Sequence, residues 1–278
     1  MEQGYTVDPQ APDKPKSEWG DIVSFVIKLV LIVFIVRSFI FSPFSIPSES
    51  MLPRLLIGDY LFITKFNYGY SKHSLPWSLP LLPNMQWSTP SRGDVVVFKA
   101  PPTNNEDWIK RVIGLPGDTI QMRDGQLILN GKPIPKQPVA DFVVPISPNF
   151  PAATEAMPDR GCKMQFQETG KDGEQVCRIP RFQETLPTGK QYYVLDQGMG
   201  PADNTGVYTV PAGHVFMMGD NRDDSADSRF QSGIGFVPMA NIEGKAVVNF
   251  WSTDGSAAWL LPWTWFSAAR WSRIGEGF

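Results

Sequence analysis

Residues 19 to 41, W-G-D-I-V-S-F-V-I-K-L-V-L-I-V-F-I-V-R-S-F-I-F, restrict the fold of this 278-residue chain more than any other stretch. A helix needs about 20 apolar residues to cross a hydrocarbon core, and this run supplies them. Lys28, near its centre, costs ~2.5–3.5 kcal/mol on insertion scales, but its stem can snorkel toward the end that carries Asp21, as Arg37 can toward the other. The surrounding Ile, Val, Leu and Phe outweigh that cost. A cleavable secretion signal has a shorter apolar core and a small-residue cleavage site after it. Neither applies here, so the run reads as a retained transmembrane anchor. Residues 1–18 form a short N-terminal tail whose Lys14 and Lys16 are offset by Glu2, Asp8, Asp13 and Glu18, a faint orientation signal. Residues 42–278 are left as a body on one side of the bilayer.

The body reads as mainly β. Twenty-six prolines and 24 glycines resist long helices. Short β-branched and aromatic runs bounded by turn residues recur at 58–66, 93–100, 108–113, 192–195, 214–218 and 245–251. Residues 119–134 contain Asp124-Gly125 and Asn130-Gly131, strong hairpin signals, and predict a three-stranded meander. The expectation is an antiparallel β domain over 42–278 with a β-rich, looser insertion at about 135–190. Ser71 to Pro90, rich in proline, is expected to be a long surface loop. The tryptophan-rich 259–271 is expected to pack into the core, with membrane contact as the alternative. Cys162 and Cys177 are close enough in sequence for a disulfide, which would contribute ~3 kcal/mol in the chain-entropy view and imply an oxidising compartment. Two free thiols are the other reading.

Several chemistries lack their residues. A net charge of -3 gives no concentrated basic surface for nucleic acid. No P-loop or dinucleotide fingerprint is present, no cofactor is implied, and isolated histidines with two cysteines fit no metal-ligand spacing. The acidic run 219–230 resembles a calcium loop but places Arg222 at a ligand position and lacks the turn glycine; an Asx-rich turn explains it as well. Ser45, Ser48 and Ser50 lie between the anchor and the first strand, in S-I-P-S-E-S-M-L-P-R-L-L-I-G-D. Nothing around His73 or His214 marks either as the base for a serine. Lysine is the remaining option, provided that burial lowers a pKa ordinarily near ~10.4. In W-I-K-R-V-I, strand alternation puts Lys110 on one face with Trp108 and Val112, opposite Ile109, Arg111 and Ile113. A lysine guarding a strand edge is the plainer reading of that pattern alone.

Four stretches, P-S-E-S-M-L-P-R-L-L-I-G-D (47–59), R-G-D-V-V-V-F-K (92–99), I-K-R-V-I-G-L-P-G-D (109–118) and G-D-N-R-D-D-S-A-D-S-R-F (219–230), follow the apolar run in this order. Together they resemble the sequence boxes of bacterial type I signal peptidases. The resemblance implies a membrane-anchored endopeptidase that removes signal peptides through a Ser-Lys dyad, with Ser50 as nucleophile and Lys110 as general base. It further implies that Ser48 and the Ser50 N–H form an oxyanion hole, that Ser225 orients the Lys110 amine, and that Asp227 and Arg229 brace the box around it. Phe44, Ile46, Met51, Leu55 and Ile109 would line pockets for the small residues at positions -1 and -3 of secretory preproteins. The implied location is the bacterial inner membrane, a single pass in contact with lipid, the catalytic domain outside the cytoplasm. Glu49 departs from the pattern, which commonly has a small residue there. Two other readings stay open: a processing peptidase dedicated to a pilus or conjugation system, and a non-catalytic tethered scaffold for exported chains.

Overall fold

The computed structural model describes residues 18–158, 160–258 and 260–278; the rest of the N-terminal tail lies outside the described residues. The apolar run forms one helix, Glu18–Phe39, about 33 Å long at 1.5 Å per residue and therefore long enough to cross a bilayer core. The helix stops short of the expected end at 41. Ser42 precedes Pro43, which disfavours helical backbone at Ser42, and the Ser42 hydroxyl donates to the Arg37 carbonyl at 2.7 Å, satisfying one of the last-turn acceptors. Phe41 already belongs to the first strand.

Seven strands make the main sheet: β1 (Phe41–Ser45), β2 (Asp59–Thr64), β3 (Val95–Lys99), β4 (Asp107–Gly114), β5 (His214–Met218), β6 (Val237–Pro238) and β7 (Ile242–Ser252). Their spatial order is β1-β2-β7-β3-β4-β5-β6, and every pairing is antiparallel. Proline at position 43 is tolerated because β1 is an edge strand. The expected meander is present as Thr119–Arg123, Gln126–Leu129 and Lys132–Pro133. Its turns place Asp124 and Gly125 at φ 48° and 71°, and Asn130 and Gly131 at 52° and 74°, the left-handed pairs that a tight hairpin requires.

The region 135–190 supplies most of two three-stranded sheets, one of which takes Gln191–Leu195 as its third strand. Cys162 and Cys177 are bonded to one another and buried in this region with Leu52, Ile179 and Leu195. Ser71–Pro90 is not a plain surface loop: Gly69–Tyr70 pairs with Met85–Gln86, and Ser71, His73, Ser74 and Leu75 are buried. The tryptophan-rich end corrects the core-packing expectation. Trp263 is 69% exposed, Phe266 64% and Trp271 55%. A stretch with few charges is equally compatible with an interior and with an apolar exterior, so composition could not separate the two.

Candidate active site

The serines sit on the loop that joins β1 to β2. This hairpin is closed at its base by Ile46 N–H donating to the Asp59 carbonyl (2.8 Å) and Gly58 N–H to the Ile46 carbonyl (3.0 Å). The Asp59 carboxylate, fully buried, accepts from Leu56 N–H, Ser252 Oγ and Arg273, and so ties the end of the loop to β7 and to the C-terminal segment. Met51, Leu52 and Leu55 are driven into apolar clusters at 0–2% exposure. They fix the turn that follows Ser50. Met51 and Leu55 pack in one cluster with Ile46, Val97 and Ile109.

Lys110 reaches the loop from β4. Its Nζ lies 2.7 Å from Ser50 Oγ and 3.0 Å from the Ile109 carbonyl, with the Trp108 ring centre 5.3 Å away. Lysine and serine are 4% and 6% exposed. Burial lowers the Lys110 pKa from 10.5 to about 8, against the opposing pull of the Asp227 and Asp220 charges. Those carboxylates are already occupied: Arg111 donates to both oxygens of Asp220 at 2.7 and 2.5 Å, and Arg229 to both oxygens of Asp227 at 2.8 and 2.9 Å. Burial alone would raise the Asp227 pKa, but the Arg229 guanidinium, with the N–H groups of Gly219 and Arg229, holds it below the ordinary value. The acid stays ionised and committed to its arginine.

Ser48 Oγ stands 3.4 Å from Ser50 Oγ, and the Ser50 N–H has no acceptor among the described residues. No hydrogen bond joins Ser225 to Lys110 among the described residues. Its hydroxyl is buried without a hydrogen-bond partner, and the Lys110 amine contacts Ser50 and the Ile109 carbonyl instead. Asp227 and Arg229 do brace the 219–230 box, where Arg229 also donates to the Arg222 carbonyl and Asp227 accepts from Gly219 N–H. A cleft of about 560 Å³ opens over the pair, walled by Phe44, Ile46, Val97, Trp108 and Ile109. Neither histidine lines it. Two strand edges face this cleft. The outer edge of β1 is unpaired, and β5 pairs with β4 only from Arg111 onward, leaving Asp107–Lys110 open on that side.

The sequence profile described as signal peptidase, peptidase S26, matches residues 19–251. This chain belongs to that family. A signal peptidase I of Rickettsia felis is 36% identical over 280 residues, covering 93% of this chain and 91% of the relative. One from Rickettsia typhi is 35% identical over 265 residues, covering 88% and 89%. The solved structure of a signal peptidase I from Enterococcus faecalis is 25% identical, covers 57% of this chain and 97% of its own, and gives a TM-score of 0.28. As a member of the signal peptidase family the protein is a peptidase.

Two further residues, unassigned in the sequence reading, hold the Ser50 segment. Asn221 donates its backbone N–H to the Ser50 carbonyl at 3.1 Å and its side-chain amide to the Glu49 carbonyl at 3.3 Å. Gly219 lets the two chains meet: a Cβ there would stand 2.5 Å from the Ser50 carbonyl oxygen and 2.2 Å from Ser225 Oγ. Their signal was the G-D-N opening of the last box, legible only as a turn without the loop it packs against. Glu49, the departure from the family pattern, accepts from Gly161 N–H at 2.9 Å, next to the Cys162 disulfide.

Proposed function

We propose that the protein is a membrane-anchored Ser-Lys endopeptidase that removes signal peptides from secretory preproteins. The observation that carries this reading is the buried Lys110 amine 2.7 Å from Ser50 Oγ. At a pKa of about 8, roughly one amine in ten is neutral at pH 7, compared with about one in three thousand at 10.5. The neutral lone pair takes the Ser50 proton as Oγ attacks the scissile carbonyl. The tetrahedral oxyanion is met by the Ser50 N–H and the Ser48 hydroxyl, donors that contribute most where charge develops. The ammonium returns its proton to the leaving amine, and the ester left on Ser50 is hydrolysed by a water that the same lysine deprotonates.

Two unpaired strand edges beside the cleft suit an extended substrate, which can add main-chain hydrogen bonds to both. Phe44, Ile46, Val97 and Ile109 offer it an apolar wall, consistent with small uncharged residues at positions -1 and -3. The helix Glu18–Phe39 runs into β1 almost without a linker, so the cleft stays close to the membrane from which a signal helix emerges. The Cys162–Cys177 bond favours a body on the extracytoplasmic side. The test is cleavage of a purified preprotein by Ser50→Ala and Lys110→Ala variants in detergent. Each is expected to lose activity while keeping wild-type circular dichroism; substantial cleavage by either ends the dyad reading.

A further inference from the structure

A second cavity, of about 610 Å³, shares no lining residue with the Ser50 cleft. It opens where Val95 and Arg111, paired across β3 and β4, meet the C-terminal segment and the strands of the insertion. Its walls carry Arg54, Arg111, Arg181, Lys190 and Arg273 against one carboxylate, Glu276.

Two of these cations are already neutralised. Arg111 is spent on Asp220, and Arg273 on Asp59 and Glu276. The other three are not. Among the described residues, the half-buried Arg54 guanidinium donates to no acceptor and pairs with no carboxylate; it rests 5.1 Å over the Phe278 ring. Arg181 uses Nε on the Ala140 carbonyl, keeps its terminal nitrogens unpaired, and lies 4.7 Å over the Tyr193 ring. Lys190 approaches only Asp94 Oδ1, at 4.0 Å, an oxygen that Lys245 holds at 2.8 Å.

Half-buried guanidinium groups without acceptors are costly to keep, since both desolvation and mutual repulsion oppose them. The two effects register here. Burial, with the Arg111 and Arg273 charges, lowers the Arg54 pKa against the opposing pull of Glu276; burial and then Arg111 lower that of Lys190. Stacking on aromatic rings holds both guanidinium forks in place, so an oxyanion entering between them meets donors already ordered. Five cations against the Asp220, Asp59 and Glu276 carboxylates leave two surplus positive charges, which match a group with more than one negative charge better than a single carboxylate. We propose that this cavity is a binding site for a phosphate-bearing anion, either a soluble phosphate compound or the headgroup of an anionic phospholipid.

The test uses the full chain in a neutral detergent at constant ionic strength, with pyrophosphate as probe and chloride as the control anion. Calorimetric titration is expected to show saturable one-site pyrophosphate binding. Arg54→Gln and Arg181→Gln are each expected to weaken it by about tenfold, the worth of a charge-assisted hydrogen bond, while Arg181→Gln leaves preprotein cleavage unchanged. Arg181 lies on the outer surface of the insertion, so its variant keeps the proposal testable should Arg54→Gln misfold. Absence of saturable binding, or equal affinity in the wild type and Arg181→Gln, overturns the site. Repeating the titration in phosphatidylglycerol and in phosphatidylcholine nanodiscs separates the sources. Loss of pyrophosphate binding only in phosphatidylglycerol assigns the cavity to a lipid headgroup, and equal binding in both assigns it to a soluble phosphate.

Discussion

Under the proposed Ser-Lys mechanism, changing the pH titrates the base, Lys110, and the structure sets the shape of the response. Lowering the Lys110 pKa from 10.5 to about 8 corresponds to ~3.4 kcal/mol of preference for the neutral amine. With a pKa of about 8, the neutral fraction is about 9% at pH 7, half at pH 8 and about 91% at pH 9. The value of kcat/KM should therefore rise about tenfold between pH 7 and pH 9 and level off above. A lysine at its ordinary pKa would give a rise of about a hundredfold over the same interval with no plateau, and a carboxylate base would give none. The assay is initial-rate cleavage of a fixed preprotein in detergent from pH 6 to pH 10. A flat profile, or one still climbing tenfold per pH unit at pH 9.5, refutes the reasoning. The same shift has a stability consequence of opposite sign. The folded pKa lies below the unfolded one, so between about 8 and 10.5 the unfolded chain binds the extra proton and stability from this residue rises with pH. Below pH 8 the folded protein carries the full penalty. Lys110→Met, which removes it, should raise the urea-unfolding free energy at pH 7 by up to ~3 kcal/mol, and this advantage should shrink as pH approaches 10.

Three other substitutions probe the frame around the pair. Gly219→Ala forces a methyl group to 2.5 Å from the Ser50 carbonyl oxygen; displacing the nucleophile by even part of an ångström should lower kcat by ~10²-fold with a smaller change in KM, measured by steady-state cleavage. Glu49→Ala releases the Gly161 N–H from the nucleophile loop and should cost ~1 kcal/mol in urea unfolding, with a rate loss that reduction of Cys162–Cys177 reproduces in the wild type but not in the variant. Arg222→Ala removes both guanidinium donors to the fully buried Glu184 carboxylate, at 2.8 and 2.6 Å, and leaves it only the neutral Tyr192 hydroxyl at 2.6 Å; it should destabilise the body by ~3–5 kcal/mol, the cost of a buried charge without its counter-ion, and thermal unfolding of the purified protein reads it directly.

What the sequence made legible were features carried by local physics. β-Branched and aromatic runs located β2, β3, β4, β5 and β7 of the main sheet, because a pleated half-buried surface selects such side chains directly, but not the edge strand Phe41–Ser45. Asp124-Gly125 and Asn130-Gly131 located the meander turns, because few residue pairs tolerate two consecutive positive φ values. Alternation put Lys110 on a face with Trp108 and Val112, where a strand-edge lysine was the plainer reading; its assignment as base came from the resemblance of I-K-R-V-I-G-L-P-G-D. The misses share another cause. Burial at 71–75 escaped notice because it depends on distant partners: Lys65 donates to the Ser74 carbonyl at 3.3 Å and pairs with Glu243 at 3.2 Å across 178 residues of sequence. No local window contains that information. The exposed Trp263 and Trp271 are the converse case, apolar residues whose side of the surface no pattern specifies.

Two adjacent cations on β4 meet opposite fates, and the difference explains how a buried amine remains usable. Strand geometry sends Lys110 and Arg111 to opposite faces. Arg111 enters a site with a carboxylate waiting and forms a two-point pair with Asp220 that keeps its charge. Lys110 enters a site walled by Trp108 and the Ser50 loop, where it has no carboxylate within pairing distance among the described residues. The acids nearest to it, Asp220 and Asp227, are drawn away by Arg111 and Arg229, so their fields lift its pKa less than burial depresses it. Removing either arginine would leave its carboxylate uncompensated, and that negative field would favour the protonated form of the lysine. Arg111→Gln should therefore move the midpoint of the pH–rate profile upward from about 8 while leaving the high-pH plateau in place, and a midpoint that stayed put would show that Asp220 exerts no field at the amine.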